Sequence, residues 1–231
     1  MKRPKDAQQL LLPLSHTQVL VGYLSETYRA YYGRDNYGLD LTDRTDPCIY
    51  ASGRGTVLAT GCDDSLGQTI VVRYGHVWNH EAGQVMDVVM RYCHLSTITV
   101  AAGMSVCRGD LIGLMGSTAI ADQGIFLHLE VDTDLLHPTA TPSLISEGDF
   151  LRPGNRQDTT TFCPCALLHI GPHQVLSALQ PDWCDPKAMT LPEAEIHLPG
   201  SSLQVFEKFE SALRATEVYL EEERQQEAAD R

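Results

Sequence analysis

The stretch Gly124-Ile125-Phe126-Leu127-His128-Leu129-Glu130-Val131 alternates along its length. Phe126, His128 and Glu130 fall on one side of an extended chain, and Leu127, Leu129 and Val131 on the other, the two-residue period of a β-strand. The leucine side is wholly apolar and predicts a core face. The other side carries an imidazole where a buried strand would place Val or Ile. Taken alone, a strand histidine is more often a hydrogen-bonded structural residue than a ligand.

Working outward, Val100 to Gly113 reads as a pair of tight turns around short apolar pieces, and Gly116-Ser117-Thr118 opens the loop that feeds the strand. Residues 17–24 read as a first strand. A polar loop with Tyr28, Tyr31, Tyr32, Gly33 and Arg34 then leads to Asn36-Tyr37-Gly38-Leu39-Asp40-Leu41. Short strands follow at 49–51, 55–59 and 68–74, and a longer one at 87–94 pairs with 68–74 across a loop from His76 to Gly83. Strands this short and this regularly spaced predict a mainly β fold, an antiparallel β-sandwich or half-barrel.

The β pattern stops by Phe150. Residues 152–204 are rich in Pro and Gly, with a short helix predicted near Val175–Leu179 and no separate core. From Val205 the period changes: Val205, Phe209, Ala212, Leu213, Thr216, Tyr219 and Leu220 recur at three- and four-residue steps, predicting an amphipathic α-helical extension docked on the domain or on a second copy. The expected organisation is therefore a tail at 1–11, a β domain at 12–150, an irregular extension at 151–204 and an acidic helix with its tail at 205–231.

Composition narrows the functions. The 231 residues carry 17 Lys+Arg against 30 Asp+Glu, a formal net charge of -13. Such a surface repels phosphate backbones, which argues against nucleic acid as a partner. Hydrophobic residues make up 43% of the chain, enough for a real core. No run is long enough for a membrane span. Met1-Lys2-Arg3-Pro4-Lys5 is followed at once by Asp6, Gln8 and Gln9 rather than an apolar core, so no secretion signal is expected and the chain reads, as written, as cytoplasmic. Seven cysteines, an odd number, fit reduced thiols, and Cys163-Pro164-Cys165 is too closely spaced for a zinc knuckle.

Several of these stretches together resemble the lysostaphin/LytM-like family of zinc metallopeptidases, which cut peptide bridges of bacterial peptidoglycan. The pattern V-x-x-G-x-x-V-x-x-G-D-L-I-G-L-M-G-S-T over Val100 to Thr118 is the most specific part. Gly38-Leu39-Asp40-Leu41, Ile49-Tyr50-Ala51 with Gly55-Thr56-Val57, and Tyr92-Cys93-His94-Leu95 also match. The resemblance spans about Leu12 to Leu144 and implies the family's fold, with cell-wall or extracellular surroundings. It implies a metal held by the histidine and aspartate of H-x-G-x-D and the last histidine of H-x-H, with water in the open position. Two further histidines would position the water and stabilise the oxyanion.

Carried over, Asp40 and His128 stand at two metal-ligand positions and His94 at one catalytic position. Asn36 stands where the third ligand should be a histidine, and Phe126 where the second catalytic histidine should be. An amide oxygen is a weak zinc ligand, and a phenyl ring neither donates nor accepts a hydrogen bond. The expectation is weak or absent zinc and an impaired member of the family. Its groove would bind a peptidoglycan peptide or a cell-wall protein partner, and the 205–220 helix offers a route to self-association. The alternative is an active zinc endopeptidase with a rearranged ligand set, drawing on His76 or His80. Nothing in the spacing promotes His16, His137, His169, His173 or His197.

Overall fold

The computed structural model describes residues 2–120, 124–155 and 159–177. In chain order the elements are β1 (Leu10–Leu11), β2 (His16–Val21), α1 (Glu26–Tyr32), β3 (Leu39–Thr42), β4 (Cys48–Tyr50), β5 (Gly55–Asp63), β6 (Gly67–Asn79), β7 (Gln84–Ile98), β8 (Ser105–Val106), β9 (Leu111–Met115), β10 (Leu127–Asp132), β11 (Ala140–Thr141), β12 (Arg152–Pro153), β13 (Thr161–Phe162), a 3-10 turn (Pro164–Ala166), β14 (Leu168–His169) and β15 (Val175–Ser177).

The fold is mainly β. Among the described residues, one sheet runs in the order β15-β2-β3-β10-β7-β6-β5-β8, with β13 added to β10 and β9 joining β7 to β4. Pairing within it is antiparallel except where β15 lies parallel to β2. The long hairpin β6–β7 is its spine, and its turn is tighter than the predicted loop: β6 continues past Tyr74 through a register shift to Asn79.

β10 is the strand quoted above, and it sits between β3 and β7. Leu127, Leu129 and Val131 are fully buried in the main core with Leu39, Leu41, Met90 and Tyr92. Its other face is buried as well: His128, Glu130 and Asp132 lie out of solvent, and Leu66, Cys93, Leu144 and Leu151 form a small apolar cluster of their own nearby. Period-two alternation thus separates an apolar layer from a buried polar one.

Three segments depart from expectation. The tyrosine-rich loop contains a helix, α1, whose Ser25 side chain accepts from the Tyr28 amide and whose Gly33, at φ 66°, closes the end with its amide on the Arg29 carbonyl. Those are ordinary helix start and stop signals. The segment 1–11, read as a tail, packs into the body: Leu10 is fully buried, β1 pairs with β14, and the Gln8 side chain donates to the Gly75 carbonyl at 2.6 Å.

Val175–Ser177 is a strand rather than a helix. Gln174 anchors it by donating to the carbonyls of Leu12 at 2.5 Å and Leu14 at 3.1 Å. Cys165, Leu167, Leu168 and Ile170, from the extension that was given no core, join the main one. The predicted helix at 205–220 and its self-association lie outside the described residues. Among the described residues no helix is long and apolar enough to cross a membrane.

Candidate functional site

Sheet register brings the distant residues together. On β10, His128 lies opposite Asp40 of β3 on one side and Cys93 of β7 on the other, so His94 follows one residue along. The His128 Nδ1 is 2.7 Å from Asp40 Oδ1, and its Nε2 is 3.2 Å from Glu130 Oε1. Each ring nitrogen therefore faces a carboxylate. Burial alone would depress the imidazole, but the hydrogen bonds to Asp40 and Glu130 outweigh it and hold the pKa up at about 10. Gly38 makes room for this ring: a Cβ there would lie 2.6 Å from the Leu129 carbonyl and 2.9 Å from His128 Cε1.

Glu130 is fully buried and richly bonded. It accepts from Thr141 Oγ1 at 2.7 Å, from Ser143 Oγ, and from Arg91 Nη1 at 3.1 Å. Burial would raise its carboxyl, yet the hydrogen bond to His128 and the Arg91 charge keep it at about 2. Arg91, itself without exposed surface, also donates to Asp132 Oδ2 at 2.8 Å and to the Pro138 carbonyl at 2.9 Å. An unbroken buried chain of charges thus runs Asp40–His128–Glu130–Arg91–Asp132.

His94 sits in β7 at φ 64°, a sparsely populated conformation for a non-glycine residue. Its amide donates to the Leu66 carbonyl at 2.9 Å and its Nδ1 is 3.0 Å from the Thr118 carbonyl, which fixes the ring. Burial, reinforced by the neighbouring His128, lowers its pKa to about 4, so this imidazole is neutral. Its ring centre is 6.0 Å from that of His128 and 5.3 Å, edge-on, from that of Phe126. Phe126 is held just ahead of β10 by its amide on the Gly116 carbonyl at 3.2 Å.

Asn36 is buried at the start of the turn into β3. Its Nδ2 donates to the Gly22 carbonyl, and its Oδ1 accepts from the Gly38 amide, both at 3.4 Å. Asn36, Asp40, His94, Phe126 and His128 all line one cavity of about 50 Å³, together with Tyr28, Tyr32 and Arg34. The five positions named from the sequence therefore share one place.

The proposed substitutes do not reach it. His76 is exposed with Nε2 3.0 Å from Asp6 Oδ2, and His80 packs on His169 with ring centres 4.9 Å apart. Among the described residues no group of three or more His, Cys, Asp or Glu is arranged to hold a metal ion. Asp40 and His128 offer two converging donors, and Asn36 adds an amide oxygen already engaged by Gly38.

Glu130 received no role from the sequence, and neither did its partners Arg91, Thr141 and Ser143. One signal was available: Val88-Val89-Met90-Arg91-Tyr92 places a single charge in an otherwise apolar strand, and such a charge needs a buried partner.

Residues 34–138 match the family described as Peptidase family M23. Peptidoglycan DD-endopeptidase ShyA of Vibrio cholerae is 35% identical over 94 residues, covering 41% of this chain and 19% of that protein. A zinc-containing peptidase from Vibrio cholerae, solved by crystallography, is 26% identical with a TM-score of 0.44 and covers 54% of this chain and 37% of its own. A chain of the SpoIIQ–SpoIIIAH pore-forming complex is 17% identical with a TM-score of 0.47, covering 71% and 92%. The chain spans less than two thirds of the length of the two Vibrio cholerae proteins.

Proposed function

Residues 34–138 form a peptidase family M23 domain, and from that premise we propose that this member binds peptidoglycan peptides without cutting them. One observation carries the reading: within the shared cavity, two positions that the family fills with histidine hold Asn36 and Phe126. The residues present do not fit a tightly bound zinc. A catalytic zinc takes three protein ligands and a water. Here only Asp40 and His128 converge, while the Asn36 amide is spent on Gly22 and Gly38. Phe126 puts a ring edge against His94 where a donor would have to stabilise an oxyanion. Loss of one such donor typically costs about 10²–10³ in rate.

What remains is a cavity with a neutral imidazole at His94 and a hydrogen-bonded charge pair at Asp40 and His128. These groups recognise amides and carboxylates of a peptide. The similarity to a peptidoglycan endopeptidase supports wall peptides as the ligand class, and it gives the cytoplasmic reading no support.

The test is elemental analysis of protein purified without added metal, alongside incubation with purified peptidoglycan. We expect well under one zinc per chain, retention on sedimented peptidoglycan, and no released fragments. A full equivalent of zinc together with released fragments would establish the active endopeptidase instead.

A further inference from the structure

The cavity at His94 and His128 is narrow. Its volume is about 50 Å³. Ligand sites occupy roughly 300–1,000 Å³. A peptide therefore enters only if part of the lining withdraws.

Two kinds of lining differ in how they are held. Asp40, His94 and His128 belong to β3, β7 and β10, which are locked by ladder bonds on both sides. Tyr28, Tyr32, Arg34 and Asn36 come from the segment 24–36. The backbone bonds that shape this segment close on itself: Leu24 N to Asn36 O at 2.7 Å, Arg29 N to Ser25 O at 3.0 Å, and Gly33 N to Arg29 O at 2.9 Å. An Arg29–Asp35 ion pair and a Tyr28–Tyr32 ring contact at 4.5 Å tie its interior. Ends pinned together and an interior packed by its own side chains are the marks of a compact Ω-type loop.

The neck of this loop is strained and latched. Leu24 stands at φ 53°, in the left-handed region that a branched side chain resists. Across the neck lies Asn36, with Nδ2 on the carbonyl of Gly22 in the entering chain and Oδ1 on the amide of Gly38 in the departing chain. We propose that residues 24–36 are a hinged lid over the cavity, that the Asn36 side chain is its latch, and that a wall peptide reaches His94 and His128 only when the lid swings out. Asn36, at a position the family uses for metal, is here a positioning residue for the lid. This deepens the peptide-binding reading and rests on it for the nature of the ligand alone.

Hydrogen exchange on the full chain tests the lid, and a soluble muropeptide carrying the tetrapeptide stem is the probe for entry. In wild-type protein the amides of 28–33 should exchange together and well ahead of those of β3 and β10. Asn36→Ala removes both latch bonds and should speed that exchange about five- to tenfold. Gly33→Ala is a second variant, should the first misfold: its Cβ meets nothing within 4 Å, so only the φ of 66° is penalised and the lid alone loosens. In both variants muropeptide affinity should tighten by the factor gained in exchange, because binding draws on the open fraction. Lid amides as protected as β10 and unmoved by either variant would overturn the proposal. So would affinity that weakens as exchange speeds up, since the segment would then be part of the bound site. Faster exchange with no muropeptide binding in any form would uphold the lid and overturn the wall-peptide reading.

Discussion

Removing the Arg91 side chain would leave the buried Asp132 without a cationic partner and Glu130 with His128 alone. Breaking a buried charge network by deleting one partner typically costs about 3–5 kcal/mol. Arg91→Ala should therefore lose that much in urea unfolding at neutral pH, and Arg91→Lys should recover part of it. An unchanged midpoint would mean that the two carboxylates find water or protons instead. At the same scale, Asn36→His with Phe126→His should yield about one zinc per chain by titration, because both positions open on the cavity that holds Asp40 and His128. Replacing the buried Phe126 should cost stability, by less than the roughly 3 kcal/mol or more of truncation to Ala. A folded double variant that binds zinc no better than wild type would dissociate Asn36 and His128 from the family's ligand positions. The five candidate positions were marked one by one through the resemblance to the family's motifs. Glu130's hydrogen-bond partners were not, because they depend on the β10–β7 register and on where the chain at 141–143 returns.

Whole elements were readable in proportion to their length. β10 shows period-two alternation and β6 and β7 carry apolar runs long enough to be recognised, whereas β1, β13 and β14 are two residues each and have no period at all. Their existence follows from tertiary pairing with β14, β10 and β1. The helix α1 was legible in Ser25 and Gly33 but was hidden by its polar setting and seven-residue length. These short strands make a testable difference between two truncations. A chain ending at 177 keeps β13, β14 and β15 and should unfold cooperatively in urea with β-type circular dichroism. A chain ending at 155 loses Cys165, Leu167, Leu168 and Ile170 from the core. Each large aliphatic side chain contributes about 1.5–3 kcal/mol, and the sum rivals the 5–15 kcal/mol that holds a typical domain together. The shorter protein should be molten or insoluble. Equal stability of the two would make 159–177 an accessory rather than part of the fold.

Across the whole molecule, buried neutral histidines set the acid response. Burial holds His169 at about 3, helped by His80 and Arg3, and His94 at about 4. Unfolded, both take protons below about 6.5, which the folded state refuses. Stability should therefore fall as pH drops from about 6.5 towards 4, by a few kcal/mol at roughly 1.4 kcal/mol per unit of pKa difference. His169→Gln should lose less between pH 7 and pH 4.5 than wild type in urea titrations. A wild type equally stable at both values would mean that these rings are protonated in the fold.

The parallel seam of β15 on β2 has a consequence for synthesis. Gln174 bonds the Leu12 carbonyl 162 residues back along the chain, so β2 waits for a partner strand made about that much later. At roughly 5–20 residues per second that wait is about ten to thirty seconds. During it, the edge of β2 is an unpaired ladder open to any extended peptide. A nascent chain stalled near residue 150 should remain protease-sensitive through its N-terminal strands, and become resistant only once the ribosome has released Ser177.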